Sequence, residues 1–153
     1  MKRSSLNLIN DKAKQQIFMI LKAKITKKVR SYLSLAKRMA LQSDSGRACH
    51  GAVLVKGGNI INAGHNKWAY SSFGRRFRHR DKGTSTLHAE LATILNLDRS
   101  VTQGADIYDD RVGVNGEFKM SKPCPMCETA LKHVGIKRVY YTTNNETLEY
   151  YKL

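Results

Sequence analysis

Two short runs narrow the folds open to this chain more than any other feature: His88-Ala89-Glu90 and Pro123-Cys124-Pro125-Met126-Cys127. Each reads as the start of a helix. In the second, Pro125 takes the first helical position, where a missing N–H costs little, and Gly135 stands just past the end. A helix is therefore predicted over residues 125–134. Behind His88, Leu91, Ile94 and Leu95 point inward at helical spacing, which predicts a helix over 88–97. Between the two runs, residues 105–114 read as a strand. Asn115-Gly116 is a hairpin signal, with 117–121 as the return strand. Residues 137–142 are the last clear strand, and only 148–151 could supply another.

The rest of the chain fills in a layered domain. Residues 32–42 are predicted helical, with Leu33, Ala36, Met39 and Ala40 at helical spacing, ended by Ser43-Asp44-Ser45-Gly46. Strands are predicted over 51–55 and 59–63, joined at Lys56-Gly57-Gly58, with Gly64-His65-Asn66 closing the second. Residues 67–86 read as a long polar, aromatic and basic loop, a length that marks function or disorder in a small domain. The first strand pair is an antiparallel hairpin. The strand–helix–strand unit at the end makes a parallel pair with a right-handed crossover. The expectation is a mixed sheet with helices on both faces, an α/β fold.

Charge is the loudest bulk property. Twenty-seven Lys and Arg against 12 Asp and Glu leave +15 on 153 residues, a field that attracts polyanions or phosphorylated ligands. It is unevenly placed: residues 1–30 carry nine basic side chains and one acid, Asp11, for a net +8. Residues 6–30 are helix-compatible, so we expect an N-terminal basic helical arm over 1–30 and one globular domain over 31–153. A transit peptide is the weaker reading of the arm. A second cluster, Arg75-Arg76-Phe77-Arg78-His79-Arg80-Asp81-Lys82, precedes His88. No apolar run reaches the roughly 18 residues of a membrane span, and Lys12, Lys14, Lys22 and Lys24 break up any secretory leader. Three cysteines, two of them in a C-x-x-C, do not make a disulfide framework. The expectation is a reduced, cytoplasmic chain that uses its thiolates for chemistry or metal.

A C-x-x-C alone is ambiguous between metal, redox chemistry and nothing. At a helix start, however, the unpaired N–H groups and the helix dipole favour thiolates. His88 adds a third ligand to Cys124 and Cys127. Three protein ligands leave the fourth tetrahedral position of Zn²⁺ to water, the open pattern of a catalytic site. The metal brings that water near a pKa of 7. Glu90 lies two residues on, roughly 200° round an ideal helix, and could reach the water from another side. Hydrolysis at a ring carbon bearing an amino group needs such a carboxylate. It takes and returns protons: one passes from water to the ring nitrogen, and the second passes from the added hydroxyl to the leaving amine.

H-x-E followed by P-C-x-x-C is the pattern of zinc nucleobase deaminases, and the chain resembles the cytidine and deoxycytidylate deaminase superfamily over about residues 32–142. The resemblance implies a three-layer α/β/α domain, with zinc on His88, Cys124 and Cys127 and Glu90 as general acid/base. Gly64-His65-Asn66 is similar to the Gly-x-Asn that ends a strand in these enzymes, which implies substrate contact by Asn66. Ala89 is expected to offer its backbone N–H to the base carbonyl. Relatives commonly self-associate, which implies a homo-oligomer. The chain departs from many relatives in the Asn115-Gly116 hairpin, in Lys122 before Pro123 where Glu is frequent, and in Leu91-Ala92-Thr93, which lacks an Asn after the Glu.

The main expectation is hydrolytic deamination of a cytosine nucleotide, of the dCMP or CMP type, to the uracil nucleotide and ammonia. The alternative is deamination of cytosine or adenine within RNA or single-stranded DNA, which the +15 charge favours. A third reading is an inactive deaminase fold that binds nucleic acid, and the intact Glu90 argues against it. Arg75, Arg76, Arg78, Arg80 and Lys82 are the candidates for phosphate or nucleic-acid contacts, with aromatics between them able to stack a base. The bland reading of that cluster is a solvated loop. The bland reading of the ligands is a structural zinc, which would need a fourth ligand from Cys49, His50, His65, His79 or His133.

Overall fold

The first helix starts where it can be capped. Thr26 accepts a hydrogen bond from the Val29 amide at 3.2 Å, satisfying one of the N–H groups that every helix start leaves unpaired. This is α1 (Lys27–Ala40), and it begins earlier than the predicted residue 32. Its buried stripe is Tyr32, Leu33, Ala36 and Ala40, and Lys37 and Arg38 in its last turn suit the negative end of its dipole. The structure, a computed structural model, describes residues 21–46, 48–78 and 86–153. Most of the predicted basic N-terminal helix therefore lies outside the described residues. The described part corrects that prediction: Leu21–Lys22 is a short strand, β1, and residues 27–30 belong to α1. Extended backbone at 21–22 finds partners on the last strand, with Leu21 opposite Tyr150 and Lys22 opposite Glu149. That pairing outweighs a weak local helix propensity.

The sheet is built around β2 (Cys49–Lys56) and β6 (Asp106–Val112), which pair antiparallel. β3 (Asn59–His65) pairs antiparallel with β2. Gly57 and Gly58, both at positive φ, form the predicted turn between them. β8 (Arg138–Thr142) runs parallel to β6, and β9 (Leu148–Lys152) runs antiparallel to β8. The strand order is β1-β9-β8-β6-β2-β3. Beyond the end of β8, the short β7 (Phe118–Lys119) pairs with Arg111 and Val112 of β6, so the predicted Asn115-Gly116 hairpin is present. A stack of Tyr108, Tyr140 and Tyr150 crosses three strands, with centroids 4.3 and 5.0 Å apart.

The pleat divides the core. Val53, Val55 and Tyr108 face α1, with Tyr32, Leu33 and Ala36 packed on them. Ala52, Leu54 and Ile107 face the other way, onto α3 (Ala89–Ile94) and α5 (Pro125–His133), through Leu91, Ile94, Ala130 and Leu131. This is the expected three-layer α/β/α arrangement. Gly51 is required where α1 meets β2, because a Cβ there would sit 1.9 Å from the Ala36 carbonyl oxygen.

Two stretches differ from the sequence reading. The predicted loop over 67–86 contains β4 (Lys67–Tyr70), a turn of helix α2 (Ser72–Arg75) capped by Ser71, and β5 (Thr86–Leu87), antiparallel to β4. The helix after His88 ends at Ile94 rather than at 97. Asn96 turns to φ 62°, and a separate turn of helix, α4 (Arg99–Thr102), follows under an Asp98 cap. Among the described residues, no helix is long and apolar enough to cross a membrane.

Candidate active site

His88 is the N-cap of α3 and Cys124 the N-cap of α5, and neither side chain is spent on capping its own helix. Both helices start on the same sheet face. His88 Nδ1 comes within 3.6 Å of Cys124 Sγ and 3.3 Å of Cys127 Sγ. The ligand atoms of all three residues lie within 4.8 Å of one another, a donor set and spacing that fit one tetrahedral zinc. Pro125 opens α5 and half-buried Cys124 is its cap, so the thiols stand where orphan amides and the helix dipole stabilise negative charge. Cys124 is held down to about 4, chiefly by a hydrogen bond with Cys127 and then by His88. Cys127 is pushed up, by that same hydrogen bond and by burial. His88 is raised by its hydrogen bond to Cys124, against the effect of burial.

Among the described residues, this is the one group of three or more His, Cys, Asp or Glu side chains arranged to hold a metal. Of the other candidate ligands, His50 lines the space beside the cluster but is not part of it. His133 packs its ring 5.2 Å from Phe77, and His65 Nδ1 lies 3.2 Å from the Asn66 carbonyl. Cys49 lies on β2, outside the cluster, and His79 lies outside the described residues.

A cleft of about 280 Å³ opens over the cluster, lined in part by His50, Asn66, Thr86, Glu90 and Lys122. Ala89 and His88 also line it. Glu90 is only 4% exposed. Burial raises its pKa, opposed by the charge of His88. Its neighbour is Asp109, at 0% exposure on β6, whose carboxyl oxygens meet no donor from the rest of the chain. Burial first, and then the charge of Glu90, hold the Asp109 pKa well above the usual range, which favours its protonated form.

Ala89 lies in the first turn of α3, where its N–H has no intrahelical acceptor. Asn66 lines the cleft, but its amide also builds it: Oδ1 accepts from the His50 amide at 2.9 Å and Nδ2 donates to the Ala48 carbonyl at 2.6 Å. Thr93 ties α3 down by donating to the Ala89 carbonyl at 2.7 Å and the Ala52 carbonyl at 3.3 Å. Arg75, Arg76 and Arg78 do not line the cleft; Arg75 and Arg76 stand exposed at the end of α2. Arg80 and Lys82 lie outside the described residues.

Sequence reasoning missed three participants. His50 lines the cleft and is held neutral, its pKa lowered to about 4 by burial and then by Arg111. Lys122 also lines it, its ammonium 5.3 Å over the Tyr151 ring. Asp109 lies beneath Glu90. Alternation from Ile107 could have shown that Asp109 faces the motif helices.

The family model described as the cytidine and deoxycytidylate deaminase zinc-binding region matches residues 26–143. In structure the chain is similar to the dCMP deaminase from the cyanophage S-TIM5. Against its apo form, the identity is 23% over 79% of this chain and 86% of that one, with a TM-score of 0.54. Against its complex with dCMP and dUMP, the identity is 22% over 78% and 85%, with a TM-score of 0.52. No curated protein sequence matches the chain.

Proposed function

Because the chain belongs to the cytidine and deoxycytidylate deaminase family, whose members are zinc-dependent hydrolytic deaminases, we propose that it converts a cytosine nucleotide, of the dCMP or CMP type, to the uracil nucleotide and ammonia. The observation that carries this reading is the buried Glu90 carboxyl in one cleft with a His–Cys–Cys cluster. His88, Cys124 and Cys127 would hold the zinc, and the cleft opens over them. Zinc bound there lowers the pKa of a water enough to make a nucleophile near neutrality.

The chain's own groups do the rest. Glu90 is the proton carrier: it would accept a proton from the nucleophilic water and donate it to the ring nitrogen, then accept the second proton from the hydroxyl added at the ring carbon and donate it to the departing amine. Asp109, buried beside Glu90 and favouring its protonated form, would leave Glu90 the ionised member of the pair. The Ala89 N–H, at the positive end of α3, suits the base carbonyl. Asn66 braces the cleft wall with its amide and would touch a substrate bound there. Lys122 supplies a cation for a phosphate. The cleft volume is at the low end of the roughly 300–1,000 Å³ usual for ligand sites, which suits a single nucleotide.

Ammonia release by the zinc-loaded protein is the test, with dCMP, CMP, cytidine and guanine as separate substrates. dCMP or CMP should be turned over best. Glu90→Ala should abolish turnover, a loss of at least about 100-fold, while one zinc per chain remains bound. Loss of zinc from that variant would mean that Glu90 is a ligand, and turnover of none of these substrates would overturn the proposal.

A further inference from the structure

We propose that the β4–β5 ribbon, with the turn of helix behind it, is a docking surface for single-stranded nucleic acid, which presents one base to the cleft. This rests on the reading of the cleft as a base-deaminating site and names a further form of substrate for it.

Among the described residues, the only exposed aromatic side chains are Trp68, at 67%, and Tyr70, at 59%. Both sit on this ribbon. The other described Phe and Tyr rings are buried or half-buried. The ribbon is also irregular: β4 takes three steps from Lys67 to Tyr70 while β5 takes one from Leu87 to Thr86. The extra residues, Trp68 and Ala69, bulge outward, as such insertions do.

The aromatics sit on segments next to residues that line the cleft. Trp68 is two residues from Asn66, which lines it, and the Trp68 amide donates to Asp44 Oδ1 at 3.0 Å, next to the lining residue Ser45. Tyr70 pairs with Thr86, another lining residue. The ring of Tyr70 is braced from behind, where Arg75 Nη1 donates to its hydroxyl at 3.3 Å. Lys67, Arg75 and Arg76 are exposed around them.

Exposed rings interleaved with cations are what a single strand needs. Each base offers a face to stack, each phosphate offers a charge, and neither requires a particular sequence. The chain's +15 complements a polyanion far better than it does one phosphate. A duplex would not serve, because its bases are already stacked on one another and the cleft is closed to a base pair. RNA and DNA strands share this chemistry.

Trp68 is the chain's single tryptophan, so its fluorescence reports stacking directly. The zinc-loaded full chain would be titrated with a single-stranded DNA 12-mer, the same sequence as RNA, and the DNA duplex, at low and moderate salt. Saturable quenching by one or both strands is expected, weaker with rising salt and several-fold weaker for duplex. In parallel, kcat/KM would be compared for cytosine in the 12-mer and for dCMP. The double variant Trp68→Ala with Tyr70→Ala should lose about tenfold more on the strand than on dCMP, and Trp68→Phe should recover most of that loss. The proposal is overturned if neither strand quenches, if duplex quenches as well as strand, or if both substrates lose equally. Quenching without ammonia from any substrate would leave the surface standing and remove the reading of the cleft. Turnover of dCMP without quenching would do the reverse.

Discussion

Asp109 and Asp110 are neighbours on β6, both at 0% exposure, and the pleat sends them to opposite faces of the sheet. Asp109 meets Glu90 and belongs to the site. Asp110 faces α1, where Oδ1 accepts from Thr142 Oγ1 at 3.3 Å and Oδ2 has no partner. Burial pushes Asp110 up to about 7, against the pull of Thr142 and Lys37. Because this folded pKa lies above the unfolded value near 3.9, Asp110 favours folding most fully below about pH 4. That contribution is lost as pH rises through 7. Asp110→Asn should therefore be more stable than the parent at pH 8, by up to about 4 kcal/mol, and should lose the advantage near pH 4. Urea midpoints at the two pH values measure this, and equal differences at both would contradict the account. At this scale Glu90 and the zinc donors were legible in the sequence, because their chemistry follows from residue type and spacing. Asp109, His50 and Lys122 were not, because an acid, a neutral imidazole and a cation gain their roles only from what the fold places beside them.

Among the elements, the long or well-capped ones were readable. α5 follows from Pro125 and Gly135, and the β2–β3 hairpin from Gly57-Gly58. The short elements were not. β1 spans two residues and exists because the edge of β9 accepts it. β4 and β5 pair across a bulge, and α4 is a single capped turn. Nothing in such short stretches outweighs the cost of ordering them until a tertiary partner is present. α1 was found but started late in the sequence reading, because its first turn is as basic as the arm before it. Its packing rests on Gly51. Gly51→Ala would put a methyl into the Ala36 carbonyl and the Ala40 amide, so it should cost about 1–3 kcal/mol, read from the urea midpoint. α1 lies on the sheet face opposite the site, so the folded variant should still bind one zinc per chain. A variant as stable as the parent would show that α1 sits less closely on β2 than described.

At the level of the whole molecule, the candidate zinc donors join two helices that the chain separates by a turn of helix and a hairpin. His88 on α3 and Cys124 and Cys127 on α5 would be tied by a single ion. Metal that binds only the folded arrangement stabilises it by mass action. Stripping zinc with a chelator should lower the melting temperature by on the order of 10 °C, and restoring zinc should reverse the change. An unchanged melting temperature, with metal analysis showing complete removal, would argue that these residues hold no structural link. By itself the sequence determined the candidate donor set with an acid close by, the layered α/β class and the surplus of positive charge. These are properties of residue type and short-range spacing, which survive without any knowledge of distant contacts. Only the tertiary structure decided that Asp109 lies beside Glu90, that His50 and Lys122 wall the cleft, and that Trp68 and Tyr70 stand exposed on the ribbon next to it. Each of these depends on strand register and on which elements pack together, and those are set by the whole core rather than by any local run of residues.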